Sequence, residues 1–346
     1  MAHNINYNEQ TGLHSFFSVK EKPWHNLGQI IQEYPTSNEA IKFAGLDFTV
    51  DKRPNIHNLP SGLSITSKSS FYTYRTDNEA ILGDKVGSDY HIVQNRDAFS
   101  FFDSIVGGGE GILYETAGAL GKGERLFITA KLPDYIRVGK EDMVEKYLFL
   151  TTAHDGTGSI TAAFTPIRIV CTNTLNAALN NKTGTVRIRH TANAKERLEL
   201  AHKVMGITDT LSVQMEAIFN GWAKTRISDK EVRRLIELAL APNATALKNL
   251  QQGNDGELST CFTNMVDSAF EYAMADPTQQ METTKGTLFG AYNSVTGYFQ
   301  NVRSYKDDEA KLTSLLLGGT GQQRAQTAFN LCSGFAKNGA DILWHN

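Results

Sequence analysis

Tyr147-Leu-Phe-Leu-Thr-Thr-Ala-His154-Asp-Gly-Thr-Gly158-Ser159-Ile-Thr-Ala-Ala-Phe-Thr-Pro-Ile-Arg-Ile-Val-Cys171 is the stretch that decides the fold. Two runs rich in aromatic and β-branched residues, Tyr147–His154 and Ser159–Cys171, flank Asp155-Gly-Thr-Gly158. The Asp-Gly pair and the second glycine tolerate positive φ, so the stretch is predicted to be a β-hairpin. Upstream, Leu63–Thr66, Phe71–Tyr74, Ala80–Val86 and Arg125–Leu132 are short runs of the same character, bounded by Gly, Asp, Asn or Pro. Downstream, Thr185–Thr191 alternates Val186 and Ile188 with Arg187 and Arg189. That period of two gives one buried face and one basic face.

Helices interrupt these strands. Asn95–Ile105 precedes the glycine run Gly107-Gly-Gly109, which suits a C-cap and loop, and Thr172–Asn180 follows the hairpin. After Asn193 the chain is predicted to be mainly helical. Leu198, Ala201, Val204 and Met205 follow a helical period, and Ser228-Asp-Lys-Glu231 is a capping box opening a helix that stops before Pro242. Leu258–Ala275 and Thr287–Val302 carry aromatic stripes, and Gln322–Phe335 follows Gly318-Gly-Thr-Gly321. The expected class is therefore α+β, a mostly antiparallel sheet with interspersed helices over residues 1–191 and a helical region over 192–346.

Composition narrows the function classes. The 346 residues carry 34 Lys/Arg against 37 Asp/Glu, a net charge of −3, which excludes a surface that is cationic all over. The charge is uneven, however: residues 182–234 hold 11 Lys/Arg and 6 Asp/Glu, a local +5 in a chain that is otherwise −8. Cys171, Cys261 and Cys332 lie far apart with no CxxC pair, which argues against a disulfide framework or a zinc site. No apolar run approaches the roughly 18 residues of a membrane span, and Met1-Ala-His-Asn-Ile-Asn6 does not read as a secretory signal. A cytoplasmic protein without a membrane partner is expected.

A search for catalytic patterns finds none that is specific. Gly121-Lys-Gly123 lacks the spacing and the Ser/Thr of a phosphate-binding loop. Gly319-Thr-Gly321 opens a helix and has the composition of an anion nest, although a helix-start turn explains it equally. The histidines form no HExxH, HxH or HxxxH pattern, His154-Asp155 belongs to the hairpin turn, and Cys171 ends an apolar strand as a core thiol would. No metal ligand set and no cofactor are expected.

The basic segment is the stronger signal. Lys182, Arg187, Arg189, His190, Lys195, Arg197 and Lys203 fall within 22 residues that contain only Glu196 and Glu199 as acids. Arg187 and Arg189 share one strand face, and Arg168 on the preceding strand is expected to extend it if the two pair. Such a row neutralises phosphates, with His190 available to stack or hydrogen-bond. Phe71, Tyr72 and Tyr74 are candidate base-stacking groups. Lys22-Pro-Trp-His-Asn-Leu-Gly28 reads as a packed plug carried by Trp24, and Asn95 reads as a helix N-cap.

Taken together, Pro23-Trp-His-Asn-Leu-Gly28, Val86-Gly87 with Tyr90 and Gln94-Asn95, Arg168-Ile-Val-Cys-Thr-Asn-Thr-Leu175, Arg189-His190-Thr191 and Thr287-Leu-Phe-Gly-Ala-Tyr-Asn293 resemble the phage/plasmid-like protein family built on domain of unknown function 932. The family's usual Trp-His-Gly-Leu-Gly is Trp-His-Asn-Leu-Gly here. The resemblance implies a partner in phage or plasmid DNA metabolism. A looser architectural similarity, to phage single-strand annealing proteins, implies an oligomer that holds strands in a basic groove. The expected function is single-stranded-DNA binding with strand annealing by a homo-oligomer, Arg168, Lys182, Arg187, Arg189, His190, Lys195 and Arg197 contacting the nucleic acid. Two alternatives stand beside it: a nucleic-acid- or nucleotide-processing enzyme in which His25, His154, Asp155 and His190 converge, and a host-interaction protein whose basic segment binds an acidic partner.

Overall fold

A computed structural model of the chain describes residues 5–9, 11–20, 27–106, 113–157, 160–168, 171–172, 185–188, 194–254, 258–306, 310–311, 314–315 and 319–344. Side chains are described for these except at 102, 104–106, 163, 165–168, 171–172, 185–188, 194–202, 204–205 and 207–208. The chain opens with a small hairpin of β1 (Tyr7–Asn8) and β2 (Leu13–His14), then β3 (Phe16–Val19), β4 (Gln29–Ile31) and α1 (Ser37–Phe43). A three-stranded unit follows: β5 (Val50–Asn58), β6 (Ser64–Arg75) and β7 (Ile81–Val86). After α2 (Asn95–Val106) come β8 (Leu113–Leu120), β9 (Arg125–Val138), β10 (Asp142–Ala153), β11 (Ile160–Arg168), β12 (Cys171–Thr172) and β13 (Thr185–Ile188).

The expected hairpin is the middle of an eight-stranded sheet. β10 pairs with β11 in unbroken antiparallel register from Thr151↔Thr161 to Val144↔Arg168. The sheet order is β12-β11-β10-β9-β8-β3-β4, with β13 sharing the outer edge of β11. Among the described pairs only β3 with β4 is parallel, so the class is α+β with a mostly antiparallel sheet. Alternation sorts the faces. Leu148 and Leu150 of β10, Ile128 of β9 and Ala117 of β8 are buried on one side, under α1, α2 and the helices that follow. Phe16, Leu120, Phe127 and Phe149 form a smaller cluster with Ile5 on the other.

The helical region begins with α3 (Ala194–Lys224), about 46 Å long at 1.5 Å per residue. Its far end is tied to the β9–β10 turn: Asn220 accepts from the Gly139 N–H at 2.9 Å and donates to the Arg137 carbonyl at 2.6 Å. Then come α4 (Asp229–Leu240), α5 (Ala244–Gln252), α6 (Thr260–Ala275), α7 (Leu288–Gly297), which runs into a π-turn at Tyr298–Val302, and α8 (Thr320–Asn338). The Ser228/Glu231 capping box forms as the sequence predicts, and Thr36 with Glu39 makes a second one at α1. Phe219 and Trp222 of α3 meet Tyr292 of α7, and Trp222 lies 4.8 Å from the Phe329 ring of α8. One buried cluster runs from Phe17 of the sheet to Leu343 beyond α8.

Two sequence expectations change. Leu63–Thr66 and Phe71–Tyr74 are parts of the single strand β6, because both pair with β5, Ile56↔Thr66 on one side of a register shift and Pro54↔Phe71 on the other, with the serine-rich link at the shift. Thr172, expected to open a helix, instead pairs with Ile167 in a short return strand; 173–180 lie outside the described residues.

The small sheet is locked to the large one by Arg75, which is 1% exposed. Its Nε and Nη2 grip both Asp77 oxygens at 2.9 and 2.7 Å. Nη1 donates to Asn6 Oδ1 and to the Lys122 carbonyl, each at 3.1 Å, and the guanidinium lies 3.7 Å from the Phe48 ring centre. Those hydrogen bonds hold the Asp77 carboxyl below the ordinary carboxylate range. A depressed folded-state pKa gives stability that is present above the unfolded value near 4 and lost as pH falls through the folded one. Arg75→Ala is expected to cost about 3 kcal/mol in urea denaturation at neutral pH, and the gap from wild type should narrow on acidification below pH ~4.

Candidate nucleic-acid interface

The basic segment lies at the edge of the large sheet. In β13, Arg187 stands opposite Thr161 and Ile188 opposite Ile160. Arg168 stands opposite Val144, seven residues along the same unbroken register from Thr161. The side chains of Arg168 and Arg187 lie outside those described. Lys195 and Arg197 fall in the first turns of α3, and Lys203 further along it is exposed. Lys182, Arg189, His190 and His25 lie outside the described residues, as does the Trp24 plug.

Part of the local surplus belongs to the fold. Arg234 is buried and donates to the carbonyls of Leu343 and Leu250 while pairing with Glu237 at 3.2 Å. Arg233 pairs with Asp267 at 2.6 Å, and Arg226 donates to the Lys285 carbonyl at 3.1 Å.

The stacking aromatics are resolved by the small sheet. Its inner face carries Thr73, Leu82, Gly83 and Val86 against the β10–β11 turn. Thr73 donates to the His154 carbonyl at 2.6 Å. A Cβ on Gly83 would sit 2.6 Å from Asp155 Cα, so only glycine permits this approach. Phe71 lies beneath the Lys52 ammonium, whose hydrogens go to the carbonyls of Ser88 and Tyr90. The outer face holds Tyr72 and Tyr74, half-exposed, with ring centres 5.8 Å apart. Exposed Arg53 stands opposite Tyr72 and donates to the Tyr74 hydroxyl at 3.1 Å, and that hydroxyl donates to Asp51. Two half-exposed phenol rings and a guanidinium therefore share one face of the small sheet, the residue types that base-stacking surfaces are made of. β13 runs toward the β10–β11 turn, against which the inner face of the small sheet is packed.

The histidine constellation has a different role. His154 is fully buried, and its Nε2 is 2.8 Å from Asn95 Oδ1. Asp155 turns away to accept from the N–H and hydroxyl of Thr157. Asn95 is not a side-chain cap: its amide donates to the Leu46 carbonyl at 2.9 Å, and Asp97 accepts the Gln94 N–H instead. Gln94 pairs both backbone groups of Val50, at 2.9 and 2.8 Å, and Tyr90 donates to the Ala153 carbonyl at 3.1 Å. These motif residues join α2, the small sheet and the central hairpin. At α8, the Gly321 N–H is taken by the Ser314 hydroxyl at 3.0 Å, so that donor of the Gly319-Thr-Gly321 turn is used within the chain.

One polar cluster escapes sequence reading because four elements supply it. Lys131 of β9 pairs with Glu145 of β10, Tyr147 donates to the same carboxylate at 2.6 Å, and Tyr34 is hydrogen-bonded to Glu115 of β8. Burial, then the Glu145 hydrogen bond, pushes the Tyr147 phenol up, and burial, then Glu115, raises Tyr34. Burial opposes the Lys131 charge, but Glu145 outweighs it and raises the ammonium pKa. The tyrosines stay protonated and the lysine cationic, a closed network rather than a poised base. Among the described residues no cluster of three or more His, Cys, Asp or Glu could hold a metal ion, and no helix is long and apolar enough to cross a membrane.

A family model described as a domain of unknown function, DUF932, matches residues 84–316. No curated protein and no solved structure matches the chain.

The structural reading of Asn95 has a measurable consequence. Asn95→Ala strips the fully buried His154 of its Nε2 partner and leaves the Leu46 carbonyl without its donor. The loss expected in chemical denaturation is about 2 kcal/mol.

Proposed function

Because the chain belongs to the DUF932 family, whose description states no activity, we propose its function from its surfaces: single-stranded-DNA binding, with strand annealing by an oligomer, in a protein of phage or plasmid origin. The observation that carries this reading is the outer face of the small sheet, where Tyr72, Tyr74 and Arg53 are open to solvent. Stacking on aromatic faces suits any base, so a platform of this kind needs no hydrogen-bond code. The phosphates of such a strand would be met by the basic segment, carried on β13 and the start of α3. The phage or plasmid setting comes from the motif resemblance alone.

The alternatives draw less support. His154 and Asp155 are each engaged elsewhere, which removes two members of the enzymatic constellation. An acidic protein partner would use the basic segment but not the open tyrosines.

Fluorescence anisotropy with a labelled single-stranded oligonucleotide tests the reading. Affinity should fall steeply between low and moderate salt, and Arg187→Ala/Arg189→Ala should flatten the log–log slope by about 1.4, at roughly 0.7 per phosphate. Tyr72→Ala/Tyr74→Ala should weaken binding by about 1–3 kcal/mol per stacked base without removing the salt dependence. Absence of binding at low salt overturns the proposal.

A further inference from the structure

The β5–β6 hairpin extends well beyond the body it is rooted in. Residues 56–66 are exposed without a break, yet their backbone is paired, with Ile56↔Thr66, His57↔Ile65 and Asn58↔Ser64 in register. Leu59 donates to the Leu63 carbonyl at 2.8 Å and closes the three-residue loop Pro60-Ser61-Gly62, in which Gly62 adopts φ +83° with open space around it. A bulge between Pro54 and Ile56 re-aims the ribbon at its root. There Asn55 is clamped to the Ser70 hydroxyl at 2.8 Å and the Asp84 carbonyl at 3.0 Å. The result is a firmly rooted arm with both faces in solvent.

Its side chains are unlike those of an idle loop. Ile56 is 62% exposed and Leu63 59%, with Leu59 and Ile65 also open. They are spread over both faces and the tip, a wedge rather than a flat patch. From Lys52 to Arg75 there is no Asp or Glu in a chain of net −3. Arg53 and Lys68 are exposed cations, and Ser61 and Ser69 are exposed, while the Ser64 hydroxyl donates to Asn58 at 2.8 Å and braces the ribbon.

We propose that this hairpin is a nucleic-acid-inserting arm, which enters a groove of duplex DNA and sets Leu59, Pro60 and Leu63 against a base step. A duplex groove admits a two-stranded ribbon, apolar side chains serve as wedges between stacked bases, and hydroxyls and cations contact the flanking phosphates. The charge complementarity of an acid-free ribbon and a polyanion selects this occupant over an apolar protein surface. The inference builds on the nucleic-acid reading above and adds a duplex contact separate from the Tyr72/Tyr74 platform, so that an annealing protein would hold reactant and product by different elements.

The test compares wild type with Leu59→Ser/Leu63→Ser on a labelled single strand and on the matching duplex, by anisotropy at low salt. The substituted residues are exposed, so thermal melting of the variant should match wild type. We expect roughly tenfold weaker duplex binding with single-strand affinity held within about twofold, and Lys68→Glu should weaken duplex binding in a salt-dependent way. Unchanged duplex affinity, or equal losses on both ligands, overturns the arm and leaves the single-strand reading standing. Wild-type binding to duplex alone overturns the single-strand reading and leaves the arm. Loss of self-association in light scattering with duplex affinity intact assigns the hairpin to a second copy of the chain and overturns the proposal.

Discussion

Arg75 is the joint on which the molecule is built. A guanidinium removed from water is costly unless its donors and its charge are answered locally. Here Asp77 supplies the charge, Asn6 and the Lys122 carbonyl take the remaining nitrogen, and Phe48 covers one flat face. These partners come from the N-terminal segment, the approach to β5, the turn after β6 and the β8–β9 turn. One planar fork therefore fixes the angle between two sheets that share no ladder hydrogen bond. A lysine could not do this, because a single ammonium cannot grip a carboxylate in two places while lying flat on a ring.

The surfaces with functional interest follow from that joint. Once the inner face of the small sheet is committed to Thr73, Gly83 and the His154 carbonyl, alternation forces Tyr72 and Tyr74 outward. Gln94 satisfies Val50 as a neighbouring strand would, which lets β5 end against a helix instead of requiring another strand. The free length of β5 and β6 is then carried past the body as an arm. A two-stranded ribbon alone is marginal in water. Its root at Asn55, Lys52 and Arg75 supplies the order its tip lacks.

Much of the fold was legible because periodicity and turn chemistry are local. The Asp155-Gly156 turn, the alternation of β10 and the Ser228/Glu231 box each announce themselves within a dozen residues. Three things were not legible for the same reason. The serine-rich middle of β6 has weak strand character and falls where the ladder to β5 shifts register, so its continuity shows only once β5 has paired on both sides of it. Asn95 has the residue type of a cap, but its amide is drawn away by carbonyls almost fifty residues upstream and by a histidine fifty-nine residues downstream. The Lys131, Glu145 and Tyr147 network has no motif because its members meet only when β9 and β10 pair.

The charge arithmetic also acquires a structural meaning. Arg226, Arg233 and Arg234, at the end of the basic segment, are used up on carbonyls and carboxylates of the helical region. What remains of the surplus is concentrated between Lys182 and Lys203, on β13, α3 and the residues between. The hairpin from Lys52 to Arg75 repeats the pattern in miniature: Lys52 and Arg75 serve the fold, while Arg53 and Lys68 stay in solvent with no acid between them. Fields from such separate clusters add within a Debye length of about 8–10 Å and fade beyond it. A chain of net −3 therefore carries local cationic clusters whose fields differ in sign from that of its remaining, net-acidic sequence.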